Sequence, residues 1–528
     1  MFKPSKEGSF KSRIVNYYGQ NIQLFEKLKL YKEKLGDLLF YPSESIIKQH
    51  FIEDTKQLNT IPNNQLNIKN LLLKPVDLDY VNFRFNSNKE INLKLNKETI
   101  DNIKLEHDHP ANLKSQLKRN AHILSTGGTI TSQQWLPRPI NSNSNISYLA
   151  VSIFNNPNGI EDMFNPELRV FKKIKSDFKI NSAVQIWEYN LETNTISLKN
   201  VLITTHYGSP IEIKWVPIYT EDNVLGVLSG VFTGGDVHFF KIDDNLPKYS
   251  VVENSSFTYS SNNEIDEEIS NICCFDFMGD SKMLIGLDDG YIAEYQLPFN
   301  NSESESELNI PNFKYYLSDG NVSSILSCET KTGEYLNVIN THGLRSYEYS
   351  SINPIQDVFT PLVFKTVVKP SFNYFLQSYI ASNTFDTNNL VQLKMPMDTQ
   401  ASYIRGDFYL SCSELSNIIS HPFCLIGGSD GGISILNVFR RLSGQKASHK
   451  FTIPLKLWKF AINEEEKLSL EAAFESFPVE NPKGPSLERP EVIVSSLSWN
   501  CNVTGSSVYS AGTASGILVI ERLDPEYN

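Results

Sequence analysis

The chain has 528 residues, 40% hydrophobic and 20% charged, a composition that excludes a mainly disordered protein and allows one very large domain or several smaller ones. Its 24 Tyr and 31 Phe favour a strand-rich fold, because aromatic side chains suit a pleated surface. The net charge of −12 argues against a body that attracts phosphate at long range.

The charge is unevenly distributed along the chain. Residues 1–120 carry 20 Lys and Arg against 14 Asp and Glu, a net +6, whereas the remainder carries 28 against 46, a net −18. A basic segment on an acidic body suits contact with nucleic acid or an acidic partner. It equally suits amphipathic helices whose lysines are only solvated.

The six cysteines predict neither a zinc site nor a disulfide framework, because no CxxC pair occurs among them. The chain starts with a polar, basic stretch and has no apolar run near the ~18 residues that span a bilayer. We therefore expect reduced cysteines and a soluble, intracellular protein.

Residues 1–120 predict an N-terminal extension instead of a compact domain. Leu24, Leu28, Tyr31 and Leu35 recur at intervals of three and four, the spacing of an amphipathic helix. Residues 57–120 are rich in Asn and carry only short apolar groups, which indicates an extended arm that docks in places.

From about residue 121 a strand-turn-strand unit repeats, and its central and closing strands meet at tight Gly-containing turns. Repeated four-stranded units that bury their faces only against neighbours are typical of a closed ring. The sequence thus predicts an all-β fold, a seven-bladed WD40-type β-propeller over residues 121–528 with a partly helical extension over 1–120. The seven units are Ile130–Tyr189, Ile211–Phe240, Ile272–Leu297, Val322–Tyr349, Val367–Lys394, Phe408–Val438 and Val494–Leu523.

Two insertions interrupt this pattern, at about 155–181 within the first unit and 439–493 between the sixth and seventh. Long loops in a compact domain are often functional, although they also pack on their own domain. From the helical stripe, the second insertion and the clustered cations we predict two sets of contacts. The partner-binding candidates are Leu24, Leu28, Tyr31, Trp458 and Phe460, and the DNA-backbone candidates are Lys118, Arg119, Lys172, Lys173 and Lys175.

The sequence offers no persuasive catalytic, cofactor-binding or metal-binding set. The one G-x-S-x-G match, residues 427–431, is followed by a strand pattern, whereas a nucleophile elbow needs a helix there. His107 and His109 lack further ligands at suitable spacing. We therefore predict a protein that is not an enzyme and needs no cofactor.

Two Trp-x-Pro strands give the sequence a specific resemblance. The matching segments are Gly127–Pro137, Tyr148–Ser152, Val184–Trp187, Tyr207–Pro217 and Gly234–Phe240, with Ser495–Asn502 and Tyr509–Leu518 in the last unit. Together they resemble the WD40, ninety-one-kilodalton tau-like, subunits of general transcription factor IIIC (TFIIIC) of yeasts.

This resemblance implies a nuclear, non-catalytic scaffold for RNA polymerase III transcription. It implies pairing with a second propeller, the sixty-kilodalton tau-like subunit, in the module that binds the B block of tRNA genes. It also implies support for DNA binding by the largest tau subunit. The alternative is a WD40 adaptor of a different nuclear or cytoplasmic complex.

Overall fold

The computed structural model is a ring of mostly antiparallel sheets around a central channel, the architecture of a β-propeller. The predicted strand-rich propeller class is therefore confirmed. The structure describes residues 6–38, 40–106, 108–142, 144–155, 180–221, 223–261, 270–299, 309–330, 333–340, 343–354, 368–384, 387–393, 401–405, 408–443, 454–463, 466–475 and 488–527.

The extension combines helices with short strands. Asn21 and Ser43 begin two of the helices, because their side chains accept hydrogen bonds from the backbone N–H groups of Leu24 and Ile46. In chain order the elements are α1 (Lys6–Tyr18), α2 (Ile22–Leu35), α3 (Glu44–His50), β1 (Asn59–Ile61), β2 (Leu72–Pro75), α4 (Leu78–Arg84), β3 (Lys89–Leu95), β4 (Glu98–Leu105), β5 (Ala111–Asn112) and α5 (Lys114–Leu117).

The first half of the ring contains blades 1 to 3. Its strands are β6 (Asn120–Ser125), β7 (Thr129–Trp135), β8 (Ile146–Asn155), β9 (Asn181–Asn190), β10 (Thr195–Ile203), β11 (Pro210–Trp215), β12 (Ile218–Thr220), β13 (Val224–Phe232), β14 (Val237–Asp243), β15 (Tyr249–Asn254), β16 (Phe257–Tyr259), β17 (Ile272–Met278), β18 (Lys282–Leu287), β19 (Tyr291–Gln296) and β20 (Phe313–Tyr316). Blade 1 is built on β7 to β10, blade 2 on β11, β13, β14 and β16, and blade 3 on β17 to β20.

The second half contains blades 4 to 6 and the sheet that closes the ring. Its elements are β21 (Ser324–Thr330), β22 (Gly333–Asn340), β23 (Gly343–Glu348), β24 (Asn353–Pro354), β25 (Ser371–Asn373), β26 (Ser378–Thr384), β27 (Thr387–Gln392), β28 (Ala401–Arg405), β29 (Leu410–Leu415), β30 (Phe423–Gly428), β31 (Gly432–Asn437), α6 (Phe439–Ser443), β32 (Leu455–Ile462), β33 (Leu468–Glu475), β34 (Val494–Trp499), β35 (Val508–Thr513) and β36 (Ile517–Arg522). Blade 4 is β21 to β24, blade 5 is β25 to β28, and blade 6 is built on β29 to β33.

The prediction of seven equivalent blades is wrong: six blades, not seven, are each built from one continuous stretch of chain. The seventh predicted unit supplies only β34, β35 and β36, and β6 and β5 from before blade 1 complete its sheet. We call this composite the closing sheet. Pairing the strands that begin the ring with those that end it closes the ring in one sheet. This pairing removes the exposed strand edges that an open ring would leave.

The second predicted insertion is also corrected. Within residues 439–493, β32 pairs with β31 and β33 pairs with β32, so both strands belong to blade 6. Strand β32 buries Leu457, Trp458 and Phe460, and its register shifts between Lys456 and Trp458. The first predicted insertion, 155–181, joins β8 to β9 but lies almost entirely outside the described residues.

A tight turn inside blade 3 shows why the Asp-Gly pairs recur. Gly290 has φ +89° between β18 and β19, and a Cβ at this position would lie 1.8 Å from the carbonyl oxygen of Ser318. A residue with a side chain would be strained in this backbone conformation and would also clash. The repeated glycine is therefore a requirement of the hairpin.

The extension is part of the propeller sheets. Strand β2 pairs with β15 at the edge of blade 1, and the β3–β4 hairpin adds to blade 6 through β33. Strand β1 pairs with β12. The boundary predicted near residue 120 falls at the first residue of β6, a strand of the closing sheet.

The core lies between neighbouring blades. One apolar cluster joins blades 5 and 6, and α1 and α2 pack onto it through Phe10, Ile14 and Leu28. Backbone groups fix the docking as well: Tyr31 donates its hydroxyl to the carbonyl of Ser420 at 2.6 Å. The helices thus cover a seam between two blades.

Candidate functional site

Side chains from five blades and from the closing sheet meet at one mouth of the central channel. We call them the channel ring: Gln134, Lys214, Asp276, Ser327, Glu414 and Ser498. Each lies on the innermost strand of its blade or of the closing sheet. Together with their neighbours they line a partly open cavity of about 120 Å³.

Large aromatic residues form the wall behind the channel ring. Trp135, Trp215 and Trp499 each follow a ring residue by one position, so the alternation of the strand turns them toward the seams between sheets. They are at most 4% exposed, yet all three line the cavity. The Trp-x-Pro pattern that stands out in the sequence therefore marks the channel mouth.

A network of ion pairs joins blades 2 and 3 to the residue that leads into blade 5. Lys214 Nζ lies 2.8 Å from Asp276 and 3.5 Å from Glu212, and Lys369 Nζ lies 2.8 Å from Glu212. Burial by itself would lower the pKa of Lys214, but the two carboxylates raise it above its usual value. The lysine is therefore held in its charged form.

Glu414 stands on the opposite side of the ring without such a pair. Among the described residues, no ion pair joins its carboxylate to a cation. Burial raises the pKa of Glu414 to about 8, and Lys214 and a hydrogen bond from Ser371 only partly oppose this rise. At neutral pH this carboxyl group is therefore mostly protonated.

The extension crosses the same mouth. The backbone N–H of Lys56 donates to the carbonyl of Ile418 at 2.9 Å, and its Nζ lies 3.2 Å from Glu329. Lys56 and Leu58 both line the cavity. The segment after α3 therefore restricts access to the channel from this side.

The structure places two of the predicted helical contacts inside the fold. Leu28 and Tyr31 are 0% and 2% exposed and pack on blades 5 and 6, whereas Leu24 is half-buried at the same seam. A partner could reach Leu28 or Tyr31 only if α2 left the propeller. Their apolar spacing, which led to the prediction, reflects packing within the chain.

Trp458 and Phe460 are likewise fully buried, on β32 of blade 6. The indole N–H of Trp458 donates to Glu521 and to the hydroxyl of Tyr509, both at 2.9 Å. These contacts leave no surface of either side chain for a partner in this fold. The sequence placed them in an insertion because it did not resolve the outer strands of blade 6.

Arg119 is also inside, which corrects its assignment as a DNA-backbone contact. Its guanidinium makes two hydrogen bonds to Glu521, at 2.7 and 2.8 Å, and stacks 3.9 Å from the ring centroid of Trp458. It is 6% exposed. Lys118 next to it is exposed at a positive φ of 53°, and Lys172, Lys173 and Lys175 lie outside the described residues.

A second buried ion pair, absent from the sequence predictions, ties the extension to the chain end. Glu44 of α3 accepts two hydrogen bonds from the guanidinium of Arg522, at 2.8 and 3.0 Å, and a third from the backbone of Gly505. Both side chains are about 5% exposed or less. The two residues are 478 positions apart in the sequence, so no local sequence pattern predicts their contact.

Within the described residues, no group of three or more His, Cys, Asp or Glu side chains has the arrangement of a metal site. No helix there is long and apolar enough to cross a membrane. The six cysteines are unpaired thiols.

No protein-family model matches the chain. Over 423 residues it is 25% identical to the transcription factor tau 91 kDa subunit of Saccharomyces cerevisiae, an alignment that covers 77% of this chain and 58% of that protein. Over 553 aligned positions it is 24% identical to the transcription factor tau subunit sfc6 of Schizosaccharomyces pombe, covering 99% of this chain and 84% of that protein. The resemblance seen in the Trp-x-Pro blades is thus confirmed, and the homologues of this chain are transcription factor tau subunits.

Proposed function

We propose that the chain is a non-catalytic scaffold subunit of TFIIIC in the nucleus. The similarity to two tau subunits, which together span nearly the whole chain, carries this proposal. The fold supports it, because a propeller braced by buried ion pairs presents rigid faces and a rigid rim to partners. A WD40 adaptor of another complex is the alternative reading.

In this proposal the chain pairs with a second propeller, the sixty-kilodalton tau-like subunit, in the module that binds the B block of tRNA genes. It supports DNA binding by the largest tau subunit and needs no cofactor. Leu24 remains a proposed partner contact because part of its side chain is accessible, and Lys118 remains a proposed contact to the DNA backbone. Lys172, Lys173 and Lys175 stay proposals from the sequence.

The experiment is co-expression of the chain with the second propeller, followed by size-exclusion chromatography and a mobility shift on a B-block tRNA gene at two salt concentrations. We expect a stable heterodimer that binds DNA weakly and loses affinity as salt rises. Leu24→Ser tests the helix contact, with Ile22→Ser as the matched control because Ile22 is 82% exposed on the same helix. Absence of a heterodimer would contradict the pairing.

A further inference from the structure

The channel mouth holds one carboxyl group, that of Glu414, which has no ion pair among the described residues. The charged groups at and beneath it are Lys56, Lys214, Lys369, Glu212, Asp276, Glu329 and Glu414. Each of the three lysines has a carboxylate of Glu212, Asp276 or Glu329 within 3.5 Å. Glu414 is the fourth carboxyl group and lines the cavity, and a cation beside it would oppose the burial that raises its pKa.

The same cavity presents buried polar atoms without a hydrogen-bond partner among the described residues. Two are acceptors, Asn417 Oδ1 and Ser327 Oγ, and two are donors, the indole nitrogens of Trp135 and Trp499. Burying such atoms without partners is energetically unfavourable. A ligand that supplies both donors and an acceptor would recover part of this cost.

We propose that the channel mouth binds a lysine or arginine side chain of a partner polypeptide, with Glu414 as its counter-ion. The cation would lie beside the tryptophan wall, where aromatic faces attract positive charge. Its N–H groups would donate to Asn417 and Ser327, while a carbonyl oxygen of the partner backbone would accept from an indole N–H.

Size and charge set the class of the ligand. The cavity, of about 120 Å³, is partly open and admits the end of one long side chain. Lys56 and Lys214 of the cavity are already paired with Glu329 and Asp276, so a cation would meet the unpaired Glu414, which would repel an acidic side chain. The site is therefore selective for cations.

The test uses the chain alone and synthetic probes, so its outcome is independent of the assignment to TFIIIC. The chain has five tryptophans, of which Trp135, Trp215 and Trp499 line the cavity, whereas Trp187 and Trp458 lie elsewhere. Labelled with 5-fluorotryptophan, they give internal reporters and internal controls in ¹⁹F NMR. The probes are acetyl-Gly-Arg-Gly-amide, its Lys counterpart, a neutral citrulline analogue and a Glu analogue.

We expect the Arg or Lys peptide to shift the resonances of the cavity tryptophans and to leave those of Trp187 and Trp458 in place. Glu414→Gln should weaken binding about ten-fold or more, whereas Glu98→Gln, on the exposed β3–β4 hairpin, should not change it. A melting curve verifies that both variants fold. The proposal would be overturned if the citrulline peptide gave equal shifts or if only the Glu peptide gave shifts. It would also be overturned if neither cationic peptide gave a shift at a concentration on the order of 10 mM.

Discussion

Glu44 and Arg522 form a buried, two-fold hydrogen-bonded ion pair that fastens helix α3 to the last strand of the closing sheet. Close to it, Glu44 receives a further bond from Ser507, and its own backbone N–H donates to Asp524 at 2.8 Å. The extension thus joins the ring at the point where the ring closes.

Glu44→Gln is expected to lower the free energy of unfolding by about 3–5 kcal/mol, because it leaves the buried guanidinium of Arg522 without its counter-charge. Urea unfolding followed by circular dichroism measures the change. Glu26→Gln, at an exposed position of α2, is the matched control and should stay within about 0.5 kcal/mol. Equal stability of the two variants would show that α3 does not brace the closing sheet.

Arg119→Lys is expected to destabilise the fold by about 2–3 kcal/mol even though it conserves the charge. An ammonium group cannot make both hydrogen bonds to Glu521 and also stack on Trp458 as the planar guanidinium does. Thermal unfolding monitored by tryptophan fluorescence reports both effects. A variant as stable as the wild type would mean that the residue is free to serve at the surface.

Lys118→Asn is expected to reduce DNA affinity of the assembled complex and to lower the slope of log K against log salt by about one unit. Asparagine tolerates the positive φ at this position, so the fold should be preserved. Lys97→Asn is the matched control, since Lys97 is also exposed, with φ 70°. The same loss in both variants would indicate a general effect of net charge.

The stability of the chain should depend on pH through Glu414. Its pKa in the folded chain is about 8, against an ordinary value of 4.5, so between these pH values the folded state holds a proton that the unfolded state releases. This group therefore destabilises the fold increasingly as pH rises from about 4.5 to 8. Lys214 and Ser371 oppose the raised pKa, and Glu212 adds to it.

Glu414→Gln removes this proton release. We expect the melting temperature of the variant, relative to the wild type, to rise by a few degrees between pH 5 and pH 8. A difference that stays constant with pH would contradict the raised pKa. Glu98→Gln, measured in parallel, should show no such trend because Glu98 is exposed.

Periodic features of the sequence led to the correct fold class. Features that depend on pairing between distant segments could not be predicted from it. Trp135 and Trp215 mark equivalent strands because neighbouring blades impose the same packing on each of them. The composite closing sheet pairs Ile517 with Ser125, nearly 400 positions apart, and no local pattern encodes that contact. The blade count failed for this reason.

The burial of several candidate contacts was missed for a related reason. An apolar stripe such as Leu28 and Tyr31 reads the same whether it meets a partner or the chain's own blades. Arg119 appeared beside Lys118 among the clustered cations, while its counter-ion Glu521 lies 402 positions away. The channel ring could have been predicted from the sequence. In most units the ring residue directly precedes an aromatic residue in the first strand.

Affinity purification of the tagged chain from the cells that naturally express it, with quantitative mass spectrometry, tests the central claim most directly. A scaffold subunit of TFIIIC should co-purify with the second propeller and the largest tau subunit in equal amounts. Recovery of a different complex in fixed stoichiometry, with no tau subunit, would contradict the claim and establish the chain as a WD40 adaptor of that complex.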